Sequence, residues 1–157
     1  MQPLPLFKLF VTMSLGVLST AAFAQAAAVG RWIVPNDAPE PPAVVVLTER
    51  DGELRGVIEK LLVQPGQNPN PSCDKCRGER KGKPIVGMEL MWGLKSDPGK
   101  PKAWKDGYAI DPTDGATYRM DASLSEDGNT LEVLYFLGMR MLGEREQWKR
   151  DRGTPSP

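Results

Sequence analysis

Residues 85–95, IVGMELMWGLK, carry apolar side chains at every second position: Val86, Met88, Leu90, Trp92 and Leu94. A period of two belongs to a β-strand with one buried face, because successive side chains point to opposite sides of the sheet. The run therefore predicts a strand with Trp92 turned toward the core. The same period recurs in TLEVLYFL, where Leu131, Val133, Tyr135 and Leu137 share a face. AVVVLTE at 43–49 is rich in β-branched residues, which pack well on a pleated surface. No stretch sustains the i, i+3, i+4, i+7 spacing of an amphipathic helix. The chain reads as all-β.

Turn chemistry divides these runs at short intervals. Asp51-Gly52 between two apolar segments is a hairpin signal. Asp97-Pro98-Gly99, Asp106-Gly107, Asp111-Pro112 with Gly115, and Asp127-Gly128 each join an Asp to a nearby Gly or Pro. Strands are predicted at 31–34, 43–49, 53–64, 84–94, 103–110, 116–122, 129–137 and 145–150. Strands joined by successive short turns suit a single antiparallel up-and-down barrel of about eight strands, with an open β-sandwich as the alternative. Two connections break the short-turn rule. VPNDAPEPPA at 34–43 is stiffened by prolines, and 64–83 is a long loop opened by QPGQNPNP. Loops of that length are usually functional or tied down.

The first 24 residues, MQPLPLFKLFVTMSLGVLSTAAFA, have the pattern of a leader rather than of the fold. One positive charge, Lys8, precedes an apolar run, and small residues at Ala22 and Ala24 suit signal-peptide cleavage. The run is too short for a membrane anchor. Cleavage is expected after Ala24, with Ala26 as the second choice, leaving a periplasmic or secreted protein without a membrane span. Residues 25–150 would form the domain, and 151–157, DRGTPSP, a disordered tail. The whole chain has 20 basic and 20 acidic side chains, so losing Lys8 leaves a net charge of −1. That balance argues against nucleic acid as a partner. Histidine is absent, which excludes His-based triads and most zinc sites.

Both cysteines lie in the long loop, as Cys73-Asp74-Lys75-Cys76. Oxidation in an exported compartment makes a disulfide the simplest reading. A redox role is the alternative, since Lys75, Arg77, Arg80, Lys81 and Lys83 crowd the sulfurs and cations stabilise thiolates. Redox C-x-x-C motifs usually open a helix, however, and Gly78, Gly82 and Pro84 discourage one here. A metal site would need ligands from elsewhere, so no metal and no cofactor are expected. The five basic side chains face solvent or contact an anion or a protein partner.

Candidate ligand-lining aromatics are Trp92, Trp104, Tyr108 and Tyr135, side chains that either fill a small barrel or line its cavity. The carboxylates sit mostly in turns and form no acid–base pair, so no catalytic residue is assigned. Gly30-Arg31-Trp32 opens the first predicted strand. Here the chain resembles the lipocalins, in which a Trp of this motif closes one barrel end beneath an Arg from the last strand. The resemblance implies that Arg150, or failing that Arg145, packs on Trp32 in a structural role. A longer resemblance rests on NPSCDKCRGERKGKPIVG, W-x-x-G-x-A-I-D-P-x-x-G-x-x-Y at 104–118 and L-x-x-D-G-x-x-L at 124–131. These blocks are similar to the exported bacterial family filed as domain of unknown function twenty-one forty-seven. It implies a lipocalin-like fold and an exported location, and carries over no activity. The expected function is binding of a small hydrophobic or amphipathic molecule. Thiol–disulfide exchange at the C-x-x-C pair and envelope docking through the basic loop are the alternatives.

Overall fold

The computed structural model describes residues 27–36 and 39–153. The leader expected at 1–24 and its cleavage site lie outside the described residues. Eight strands follow in order: β1 (Gly30–Val34), β2 (Ala43–Arg50), β3 (Glu53–Leu61), β4 (Glu89–Ser96), β5 (Ala103–Ile110), β6 (Thr117–Leu124), β7 (Thr130–Phe136) and β8 (Glu144–Arg150). Each pairs antiparallel with the next, and β1 returns to β8 through Trp32 opposite Arg150 and Ile33 opposite Lys149. The result is a closed up-and-down barrel, not an open sandwich. Among the described residues, no helix is long and apolar enough to cross a membrane.

The two ends of the barrel differ. At one end lie the turns at 51–52, 97–102 and 125–129, and at the other the connections 35–42, 62–88, 111–116 and 137–143. The short-turn end is filled by side chains. Trp32, Leu54, Met91, Leu94, Leu131 and Trp148 are fully buried there in one cluster with Trp104. Gly107 of β5 makes room for Leu94, since a Cβ at that position would lie 2.4 Å from its Cγ.

Arg150 seals this end. Its guanidinium carbon lies 4.3 Å from the Trp32 ring centroid. Its nitrogens donate to the carbonyls of Gly128 (2.6 Å), Ala27 (2.7 Å) and Val29 (3.1 Å). The Trp32 indole N–H donates in turn to the Ala28 carbonyl at 2.9 Å. Gly30 is required at the first motif position: its φ is +133°, and a Cβ there would stand 3.0 Å from Arg150 Nη1. Arg145 instead faces outward and pairs with Glu132 at 2.9 Å. Asp151 continues the closure, its N–H donating to the Arg31 carbonyl at 2.9 Å. Within the expected tail, Asp151 is thus bonded to β1, Arg152 donates to the Asn129 side chain, and 154–157 lie outside the described residues.

Two departures from simple alternation correct the sequence reading. In β4, Leu94 stands opposite Leu54 but Met91 stands opposite Gly56, so β4 spends three residues where β3 spends two; a second shift, with Glu89 opposite Val57, returns Leu90 to the inside. Gly93, at φ +73°, absorbs the extra residue. Met91 and Leu94 therefore point inward, and Trp92 points outward, not toward the core as its spacing predicts. Residues 84–88 belong to the loop before β4 rather than to the strand. In β5, Asp106-Gly107 is not a turn but a bulge inside the strand, with Asp106 at φ +63° and a register shift between Trp104 and Gly107. Beyond β7, Leu137 is exposed rather than sharing the buried face, because the strand ends at Phe136 and Gly138 turns the chain at φ +90°.

Candidate ligand-binding cavity

The end of the barrel carrying the long connections is hollow. It holds a cavity of about 1230 Å³ whose apolar lining includes Val34, Ala43, Ile58, Leu90, Ala109 and Tyr135. Both connections that break the short-turn rule frame its mouth. The proline-rich 35–42 segment contributes Pro35, Asn36, Pro39, Glu40 and Pro41, and the cysteine loop contributes Gln67, Asn68, Pro71 and Ile85. The cavity also reaches the wall between β1 and β8. These strands pair only at two positions near the sealed end, and beyond Val34 the prolines carry β1 away.

The β8 sequence EREQWKR shows how the interior is built. Pairing with β7 sets Trp148 opposite Leu131, Glu146 opposite Val133 and Glu144 opposite Tyr135. Directly paired residues share a face, and Leu131 and Val133 are fully buried, so Glu144, Glu146 and Trp148 point inward. Trp148 belongs to the core, and Glu146 lies on the cavity wall next to it. One oxygen of Glu146 accepts the Trp148 indole N–H at 2.7 Å and the Tyr135 hydroxyl at 3.4 Å. Burial first, and the Glu146 charge second, push the Tyr135 phenol well above its ordinary range, so it stays protonated and donates. Tyr118 lines the cavity nearer the mouth. Its hydroxyl donates to Asp114 at 2.6 Å, a bond that raises its pKa to about 12.

Of the four aromatics nominated from sequence, only Tyr135 lines this cavity. Trp104 lies in the sealed half of the core. Trp92 and Tyr108 stack on the outer face, with ring centroids 6.0 Å apart. The reason is the pair of bulges: each shifts the inside–outside phase of its strand, and both aromatics fall on the wrong side. Glu144, Glu146 and Tyr118 were not nominated. The signal for Glu146 was present in β8, where two glutamates alternate into phase with a buried tryptophan.

Cys73 and Cys76 lie at disulfide distance, with sulfurs 1.93 Å apart. Both are buried, at 0% and 2% exposure, in a small cluster with Met88 and Ile110, against which Ile85 and Trp92 pack. Thiol–disulfide exchange needs a thiolate to reach a sulfur, and this burial works against it. The loop is latched to the 111–116 turn at the mouth. Gly115 has φ +74°, and a Cβ on it would stand 2.0 Å from the Lys75 carbonyl oxygen. The segment 78–80 forms a single 3-10 turn rather than an α-helix. Lys75, Arg77, Lys81 and Lys83 are exposed, whereas Arg80 lies over the Trp92 ring at 4.8 Å. The basic side chains are therefore outside the barrel, apart from the cavity lining. Among the described residues, no group of three or more His, Cys, Asp or Glu side chains is placed to hold a metal ion.

Residues 30–150 match the family described as "Uncharacterized protein conserved in bacteria (DUF2147)". The chain belongs to the DUF2147 family. Its match runs from the first residue of β1 to the last of β8, so the whole barrel is the family's unit. No curated protein matches this DUF2147 chain. Among solved structures it is similar to HP1028 from the human pathogen Helicobacter pylori, which is described as belonging to the lipocalin family. The TM-score is 0.68 at 17% identity, over 78% of this chain and 82% of that one. At that identity the likeness concerns the fold, which is lipocalin-like.

Proposed function

We propose that this DUF2147 protein is exported and binds a small apolar or amphipathic molecule in the barrel cavity. The observation that carries the reading is the division of the barrel. One half is packed solid beneath the Arg150 seal, and the other encloses about 1230 Å³ over an apolar floor. A concave apolar site with a few convergent polar groups is the usual form of a small-molecule site. Export is supported by the composition of residues 1–24 and by a disulfide, which persists in oxidising compartments. Binding is tested by titrating the purified protein with N-phenylnaphthylamine, a neutral apolar fluorophore. Saturable one-to-one enhancement is expected, and Leu90→Asp, which sets a charge on the apolar floor of the cavity, should weaken it at least tenfold while far-UV circular dichroism stays unchanged. Absence of saturable binding, or equal binding by Leu90→Asp, would overturn the reading. N-terminal sequencing of protein recovered from the periplasm should begin at Gln25 or Ala27, and an intact Met1 would contradict export.

A further inference from the structure

We infer that the protein docks the mouth end of its barrel on anionic phospholipid bilayers, inserting the apolar tip of the β7–β8 connection. This goes beyond the binding reading above, and the two can fail separately.

Segment 137–143, Leu-Gly-Met-Arg-Met-Leu-Gly, inverts the usual arrangement of a loop. Leu137, Met139, Met141 and Leu142 are 69%, 59%, 84% and 73% exposed. Arg140, the one charged residue among them, turns back onto the barrel. Its guanidinium donates to Asp121 at 2.5 Å and to Asp106 at 2.8 Å, and lies 5.1 Å from the Phe136 ring centroid. Both ends of the tip are tightly set: Gly138 turns the chain at φ +90°, and a Cβ on Gly143 would stand 2.5 Å from the Tyr135 carbonyl oxygen. The apolar side chains are thus held outward while the charge is held inward. Single exposed apolar residues are ordinary, but a contiguous group of four marks a contact surface.

Three features of this end of the barrel identify the partner as a lipid surface. The tip is one tight 3-10 turn, Arg140–Leu142, a shape suited to insertion between headgroups rather than to enclosing a partner segment. It also stands on the rim of the cavity, because Tyr135 before it and Glu144 after it both line that cavity. A bilayer at this rim meets the opening through which an apolar molecule must pass. Lastly, the cysteine loop at the same end exposes Lys75, Arg77, Lys81 and Lys83, none of them in an ion pair among the described residues. Asp74 and Glu79 offset only part of that charge. Anionic headgroups attract such cations, and the strength of interfacial binding follows buried apolar area plus this attraction. Carboxylates stand at this end too: Glu40 and Glu144 border the mouth, and Asp111 and Asp114 accept bonds from Thr113 and Tyr118. The attraction is therefore local to the cysteine loop, and insertion of the tip carries the larger share.

Co-sedimentation of the purified protein with phosphatidylcholine vesicles, with and without one quarter phosphatidylglycerol, tests the inference. Binding to the mixed vesicles should be at least about tenfold tighter than to phosphatidylcholine alone. Met141→Ser combined with Leu142→Ser removes apolar surface without adding charge, and should weaken that binding at least about tenfold. N-phenylnaphthylamine binding in solution should stay at the wild-type value in this variant, since neither residue lines the cavity. Arg77→Ala, Lys81→Ala and Lys83→Ala together should bring the two vesicle types within about threefold of one another. No binding to the mixed vesicles, equal wild-type binding to both types, or full binding by the Met141→Ser, Leu142→Ser variant would overturn the inference and leave the cavity reading intact. A wild type that is dimeric by sedimentation equilibrium, with that variant monomeric and no vesicle binding, would assign the tip to a second copy and overturn it as well. A wild type that binds vesicles but not the fluorophore would remove the cavity reading alone.

Discussion

Arg150 is where the closed end of the barrel can be weighed most directly. Arg150→Met keeps a long side chain above Trp32 but removes the charge and every donor. It loses the part-buried bond to the Gly128 carbonyl, two more exposed bonds to Ala27 and Val29, and the cationic contact with the ring. A part-buried bond from a charged donor is worth about 2 kcal/mol, whereas an exposed one that water replaces is worth about 0.5. The ring contact adds about 1 kcal/mol. The total is about 4 kcal/mol, and the apolar contact that methionine retains lowers the expected loss to about 3. Arg145→Met provides the comparison, because its ion pair with Glu132 is exposed and should cost less than about 1 kcal/mol. Urea unfolding followed by far-UV circular dichroism measures both. Equal losses in the two variants, or a loss below about 1 kcal/mol at Arg150, would refute the seal and leave Trp32 held by its burial and its bond to the Ala28 carbonyl.

Three further outcomes follow from the mouth of the barrel. Replacing Cys73 and Cys76 together by alanine removes a four-residue crosslink worth about 2 kcal/mol on the loop-entropy model, and hydrogen exchange should quicken at the Cys73 and Gly82 amides, which bond across the loop; unchanged exchange there would contradict a structural disulfide. Gly115→Val places a branched side chain against the Lys75 carbonyl at a positive φ, so it should detach the cysteine loop and destabilise by at least about 2 kcal/mol; a melting temperature equal to wild type would show that the latch is not there. Tyr118 holds its proton to about pH 12 because its hydroxyl donates to Asp114. The folded value is raised above the ordinary 10, so the stability from this bond is complete below about pH 10 and lost as pH rises through about 12. In Asp114→Asn, the phenolate absorbance at 295 nm should develop at lower pH, and an unmoved titration would discount the bond.

Much of the barrel was legible because strand period, turn residues and closure depend on local chemistry. Asp51-Gly52 and Asp127-Gly128 fall in connections between strands, and the Trp32–Arg150 contact, which the lipocalin resemblance implied, lies where the first and last strands meet. What was illegible was phase. A single extra residue at Gly93 moves Trp92 from the inside to the outside, and nothing in an alternating pattern marks which glycine is a bulge. Tyr108 fails for the same reason, displaced by Asp106 at positive φ. Glu146 was overlooked because a charged residue in a short polar strand reads as solvent-facing until Trp148 sets the phase of β8. The two long connections signalled importance by their length, yet only the closed barrel brings them to the same end.

The central claim is that ligands enter the hollow half and nowhere else, and chemical-shift mapping with N-phenylnaphthylamine tests it most directly. The account predicts saturable shifts in the backbone amides of Ile58, Leu90, Ala109 and Tyr135, which line the cavity. Shifts centred on Trp92 and Tyr108 on the outer face, or no saturable shifts at all, would contradict it.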